Sequence, residues 1–204
     1  MTATPARIEA TDALLDAAEH LLLEIGYAQI TTRKLAERAG VNHGLVHYYF
    51  GSMEDLLLRV VERFTDQLIE RQKAMYAAES PFIEKWRQAM RFLDEDTESG
   101  YSKVWLEMQA MGWNDEAVRT RLQDVHQQWM DVVTPAFERG LAELGIDRRR
   151  FPLKAVVSLV VTFNQGIMLE RLSGVDSGHR EMLRMVDRML ERLWEAQTDE
   201  SPPA

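Results

Sequence analysis

Cysteine is missing from the 204-residue sequence, so neither a disulfide framework nor a thiolate metal site can be built. No run alternates with the period of two that a half-buried strand requires. The N-terminus lacks a basic segment followed by an apolar core, so a secretory signal is not expected. The longest apolar stretch, around residues 155–169, is broken by Ser158, Thr162, Asn164 and Gln165. It is expected to be too short and too polar to span a bilayer. Positive charge is scarce as well: 24 Lys and Arg stand against 33 Asp and Glu, a formal net charge of −9. There is no Gly-rich phosphate loop, nucleophile elbow, metal motif or carboxylate pair backed by a histidine, so no enzyme activity, cofactor or metal is expected. These absences point to a soluble cytoplasmic all-α protein.

What is present is concentrated in residues 31–50, TTRKLAERAGVNHGLVHYYF, which read as two short helices joined by a tight Ala-Gly turn. Thr31 is placed to cap the first, whose buried face would be Leu35 and Ala36 with Ala39 one turn on. Gly40 stands at the stop position, where positive φ costs glycine little. Asn42 is placed to cap a second helix, which Gly51 ends before Ser52 opens another. This is the spacing of a helix-turn-helix, whose second helix enters the DNA major groove.

The rest of the chain is helical in period. Residues 8–25 place Ile8, Leu14, Leu15, Ala18, Leu22 and Ile25 on one stripe, closed by Gly26. Ser52 and Asp55 start a long helix to about Ala78 in the manner of a capping box. Ser80-Pro81 starts the next, with proline at the first helical position. Helices near 101–113, 115–144, 152–173 and 179–196 complete nine, and Pro135 is expected to kink or split the 115–144 segment. The ends, Met1–Ala6 and Ser201–Ala204, are expected to be disordered. The last two helices are apolar on more than one side, through Val156, Val160, Ile167 and Met168 in one and Met182, Met185, Met189 and Leu193 in the other. Such helices must be buried on more than one side. Packing on a second copy would satisfy this with a four-helix seam formed by 152–173 and 179–196 of each subunit. A helix-turn-helix also needs two copies to read half-sites about 34 Å apart.

The segment Thr-x-x-x-Leu-Ala-x-x-Ala-Gly-Val, followed by His-Tyr-Tyr-Phe, resembles the tetracycline-repressor (TetR) family of bacterial transcription regulators, most closely over residues 8–58. The resemblance implies a nine-helix homodimer without membrane association. Its helix-turn-helix DNA-binding domain would be residues 7–51 and its ligand-binding and dimerisation domain residues 52–200. Its partners would be a palindromic double-stranded operator and a small-molecule effector. Carried over position by position, the DNA-facing residues would be Thr32, Arg33, His43, Gly44, Leu45, His47, Tyr48 and Tyr49. Their chemistry suits the role: Thr32 and Arg33 open a helix whose amides can grip phosphate, and His43 opens the helix that would read base edges. Where the family often carries lysines, this chain has Gly51 and Met53, which should weaken the salt-dependent part of binding.

Charge within residues 1–50 also runs against tight binding. Glu9, Asp12, Asp16, Glu19, Glu24 and Glu37 outnumber Arg7, Arg33, Lys34 and Arg38, although local arrangement matters more than the total. His43 and His47 have a metal-ligand spacing, but DNA contact is the better account of the pair. Effector candidates are Trp105, Met108, Gln109, His126, Trp129, Phe163, Asn164 and Met168, since methionines and aromatics line adaptable apolar pockets. Asn164 and Gln165 interrupt an apolar helix, so each amide needs a partner subunit, another helix or a ligand. The expected function is a transcriptional regulator, a repressor released by a mostly apolar effector. The alternatives are a helical ligand-binding or adaptor protein with weakened DNA binding, or an all-helical enzyme with Glu107 as base.

Overall fold

The computed structural model describes residues 5–199. Among these residues there are nine α-helices and no strand: α1 (Pro5–Ile25), α2 (Thr32–Ala39), α3 (Gly44–Phe50), α4 (Met53–Ala77), α5 (Phe82–Glu98), α6 (Tyr101–Gly112), α7 (Glu116–Glu143), α8 (Leu153–Leu172) and α9 (His179–Asp199). A single 3₁₀ turn, Tyr27–Gln29, separates α1 from α2.

The chain divides into two compact units. The first holds the residues up to Gln67 together with Gly100–His126, and the second holds Leu68–Ser99 with the residues from Gln127 on. The first is built on Leu14, Leu22, Leu35, Val46, Leu56, Val60, Val104 and Met108, all essentially without exposure. Each such side chain contributes about 1.5–3 kcal/mol of burial. The second centres on Tyr76, Phe82, Trp86, Val133, Phe137, Leu144, Val157 and Leu190. Phe82 meets Phe137 edge to face at 5.2 Å. A Cβ at Gly140 would fall 2.2 Å from the Phe82 ring, so this close approach excludes any side chain there.

Several expectations are corrected by tertiary packing. Ile8 is 50% exposed because the packed part of α1 begins at Leu14. Pro5 and Ala6 belong to α1, whereas the remainder of the ends expected to be disordered lies outside the described residues. Pro135 neither splits nor ends α7, which runs unbroken through it. Its missing hydrogen bond is offset by the burial of Val133, Ala136 and Phe137 on either side. Pro81 sits just outside α5, with φ −55° and ψ 150°. The first free amide of that helix, at Phe82, donates instead to Glu143 Oε1 at 2.7 Å.

The two C-terminal helices pack on the core of the second unit along one side, through Val157 and Leu190, and leave apolar residues exposed on another. Of α8 only Val157, Ile167 and Met168 are buried, while Leu159, Leu169, Met185 and Met189 are 55–70% exposed. Mean hydropathy over α8 reaches 1.3, so the helix is long and apolar by composition although Ser158, Thr162, Asn164 and Gln165 interrupt it. His179, at the start of α9, is buried and pairs through Nε2 with Glu170 of α8.

Candidate nucleic-acid interface

The helix-turn-helix is set by short-range hydrogen bonds that the sequence itself supplies. Thr31 is extended, and its Oγ1 accepts from Lys34 N at 3.2 Å. α2 closes on Gly40 at φ 67°, with Val41 N–H donating to Ala36 O at 3.0 Å and Gly40 N–H to Glu37 O at 3.3 Å. That pair of bonds is a Schellman closure, which requires the left-handed backbone that glycine adopts freely. Asn42 Oδ1 then accepts from Gly44 N at 2.9 Å, capping α3 from two residues ahead of its first turn. Ser52 Oγ and Asp55 exchange bonds at 2.9 Å at the start of α4.

Val46 is fully buried and pins α3 against its unit. The other face of α3 is open: His43, Gly44, His47 and Tyr48 are exposed, as is Arg33 on α2. Thr32, Leu45, Tyr49 and Phe50 are half-buried. Tyr48 is 76% exposed and meets the Tyr49 ring edge-on at 5.0 Å. His47 Nδ1 lies 3.0 Å from Gly51 O, a bond that only a protonated Nδ1 can donate. That tautomer leaves Nε2 as an acceptor. A Cβ at Gly44 would meet nothing closer than Asn42 Oδ1 at 3.4 Å, so the absence of a side chain there serves no packing need within the chain.

Three of the six acids that weigh against DNA binding, Asp16, Glu19 and Glu24, are occupied by arginines. Arg38 of α2 forks onto Glu24, holding that carboxyl below its usual range through the hydrogen bond. Arg63 of α4 is hydrogen-bonded by Asp16 and Glu19, which outweigh burial and keep its pKa above the usual value. These pairs fasten α1 to α2 and α4 while cancelling much of the negative charge of α1.

A second clamp was not legible in the sequence. Glu107 of α6 accepts from Tyr27 N at 2.7 Å, and Lys103, one turn earlier, donates to Leu23 O at 3.2 Å. Glu107 is thus a backbone acceptor and not the free base considered from sequence. A Cβ at Gly26 would fall 2.9 Å from Glu107 Oε1, and one at Gly100 2.1 Å from Leu23 Cδ2. The end of α1 and the start of α6 are therefore in close contact. Glu107 lies 80 positions from Tyr27, and no local pattern announces such a pair.

Comparison with known proteins agrees with this geometry. Residues 14–60 match the family described as bacterial regulatory proteins, tetR family, and residues 84–195 match the C-terminal domain of BetI-type transcriptional repressors. The chain belongs to the TetR family. It is similar to the uncharacterized HTH-type transcriptional regulator YfiR of Bacillus subtilis (strain 168), with 27% identity over 78% of each chain. In fold it is similar to a putative transcriptional regulator from Saccharomonospora viridis in complex with choline, with 17% identity, TM-score 0.69, and 92% and 96% of the two chains covered. It is also similar to the transcriptional regulator FadR of Bacillus subtilis in complex with stearoyl-CoA, with 17% identity, TM-score 0.71, and 89% and 96% covered.

This TetR-family chain is accordingly a DNA-binding transcriptional regulator. Its sequence-derived effector residues fall in both compact units. Trp105, Met108, Gln109 and His126 lie in the first, where Met108 is fully buried and Trp105 nearly so. Trp129, Phe163, Asn164 and Met168 lie in the second. There Trp129 Nε1 donates to Gln72 Oε1 at 2.7 Å, and Met168 is buried. Asn164 Oδ1 is buried without a hydrogen-bond partner among the described residues.

Proposed function

We propose that this regulator is a cytoplasmic repressor, which binds a palindromic operator as a homodimer and is released by a small, mostly apolar effector. The observation that carries the DNA half is the open face of α3. Val46 anchors the helix while His43, Gly44, His47 and Tyr48 stand outward. Thr32 and Arg33 at the start of α2 would grip phosphate, with Leu45 and Tyr49 contributing at the edges of the groove. Gly44, whose missing side chain answers no internal need, would admit the closest approach of backbone to DNA. In this reading residues 7–51 form the DNA-binding domain and 52–200 the effector-binding and dimerisation domain.

Asn164 supports the effector half. A buried amide oxygen with no partner costs about 1–3 kcal/mol, a cost that a bound molecule with a hydrogen-bond donor would relieve. Phe163, Met168 and Trp129 would supply the apolar surround in the second unit, and Trp105, Met108, Gln109 and His126 are the candidates of the first. Choline and stearoyl-CoA, the molecules bound in two regulators of similar fold, each combine a donor with apolar surface and are the first compounds to try. Binding would shift α4, whose N-terminal turn follows the recognition helix directly, and change the spacing of the two recognition helices. The exposed apolar faces of α8 and α9 would meet their counterparts in a second copy.

The test is fluorescence anisotropy with DNA from upstream of the gene itself, with and without each compound. Saturable binding that His43→Ala and Tyr48→Ala weaken, and that effector reverses, is the expected result. Wild-type binding that both substitutions leave intact would overturn the assignment of α3.

A further inference from the structure

The first unit has few cations left for a polyanion. Arg38 is taken by Glu24, Arg63 by Asp16 and Glu19, Arg59 by Glu62, and Arg121 by Asp55 and Glu62. Lys34 and Lys103 donate to backbone carbonyls, of Gln29 and Leu23. The Arg7 carbonyl accepts from Thr11 Oγ1, but the guanidinium groups of Arg33 and Arg7 carry no hydrogen bond or ion pair among the described residues. Arg33 is already assigned to phosphate, but nothing assigns Arg7. The guanidinium of Arg7 lies 5.8 Å from the centroid of the Tyr49 ring, although the two residues belong to different helices. Tyr49 in turn meets the exposed Tyr48 edge-on. The aromatic ring holds an exposed, uncompensated positive charge from α1 beside the last turn of the recognition helix.

We infer that Arg7 is a contact to the phosphate backbone of DNA, presented by Tyr49 at the C-terminal end of α3. The contact is sequence-independent and supplies part of the charge missing at Gly51 and Met53. The inference rests on the DNA-facing reading of α3. A planar guanidinium can bridge phosphate oxygens while its face stays on the tyrosine ring. Arg7 would thus add a strand-gripping point outside the helix-turn-helix proper.

The experiment measures binding of the full chain to fluorescein-labelled duplexes of upstream and of scrambled sequence, across a series of KCl concentrations. The slope of log K against log[KCl] counts the phosphates neutralised, at about 0.9 for each. Arg7→Gln is expected to lower the slope by about that amount for each copy bound, and to weaken both duplexes by the same factor. Arg7→Lys should restore most of the slope, and a thermal melt should show both variants folded like the wild type. A slope unchanged in Arg7→Gln overturns the inference. If Arg33→Gln still lowers the slope, the reading of α3 survives that failure; if neither variant changes it, the interface itself is misassigned.

Discussion

The backbone amide of Tyr27 donates to the Glu107 carboxylate at 2.7 Å, tying the turn after α1 to the middle of α6. Lys103 holds the Leu23 carbonyl from the same helix. Two side chains one turn apart thereby satisfy the Leu23 carbonyl, left free at the end of α1, and the Tyr27 amide, left free at the start of the 3₁₀ turn. Glu107→Ala is expected to destabilise the chain by about 1–3 kcal/mol, because it strands a partly buried donor, whereas Glu107→Gln, which keeps an acceptor, should lose less. Urea denaturation of the two variants checks the order. Equal stability of Glu107→Ala and wild type would mean that the bond contributes nothing.

How far the sequence could be read follows from how far apart its hydrogen-bonding partners are. Thr31 with Lys34, Asn42 with Gly44 and Ser52 with Asp55 are joined across two or three residues, so residue type and spacing reveal them. Gly40 declares its turn because few other residues adopt φ 67° without strain. The pairs Arg63–Glu19, Arg121–Glu62 and Glu107–Tyr27 lie 44, 59 and 80 positions apart. Nothing local distinguishes their members from solvated charges. Pro135 fails to split α7 for a related reason: its local cost is fixed by its ring, but the compensation comes from the packing of Val133 and Phe137. The exposure of His43, Gly44, His47 and Tyr48 was legible only through the family resemblance, which carried those positions over one by one. The effector residues were less so, since methionine and tryptophan suit a core and a pocket equally.

Asn164 distinguishes those two uses. Replacing it with leucine removes the unpartnered oxygen and keeps approximate volume, so the free protein should be as stable as wild type or more so by about 1 kcal/mol. If the amide meets effector, the same variant should bind DNA normally and lose most of its response to effector. Thermal denaturation and anisotropy with and without compound separate the effects. A full effector response in Asn164→Leu would remove this residue from the site.

Tyr76 gives the fold an alkaline limit. Burial raises its phenol from the ordinary 10.0 to about 12. The neutral ring is favoured in the folded chain, so its contribution is whole below pH 10 and is lost as pH rises through the folded value. Two units correspond to about 2–3 kcal/mol in total. Tyr76→Phe should therefore flatten the fall in stability above about pH 10, measured by urea denaturation at successive pH values. An alkaline limb of unchanged steepness would show that other groups set it.

The exposed apolar surface of α8 and α9 makes the last prediction. Leu159 is 70% exposed, Met185 58% and Met189 56%, and a depression of about 540 Å³ along α9 is lined by Met185, Arg188, Met189, Arg192 and Leu193. Water can solvate a charge at Met185 in a lone chain, so Met185→Glu should leave the second unit folded. In a seam between two copies the same carboxylate would be desolvated without a partner, at a cost of several kcal/mol. The variant is thus expected to run as a monomer in light scattering while the wild type runs as a dimer. Its affinity for a two-half-site operator should fall by about two orders of magnitude, since tethering of the second head is lost. A wild-type chain that is monomeric at micromolar concentration, or a Met185→Glu variant that remains a dimer, would place the seam elsewhere.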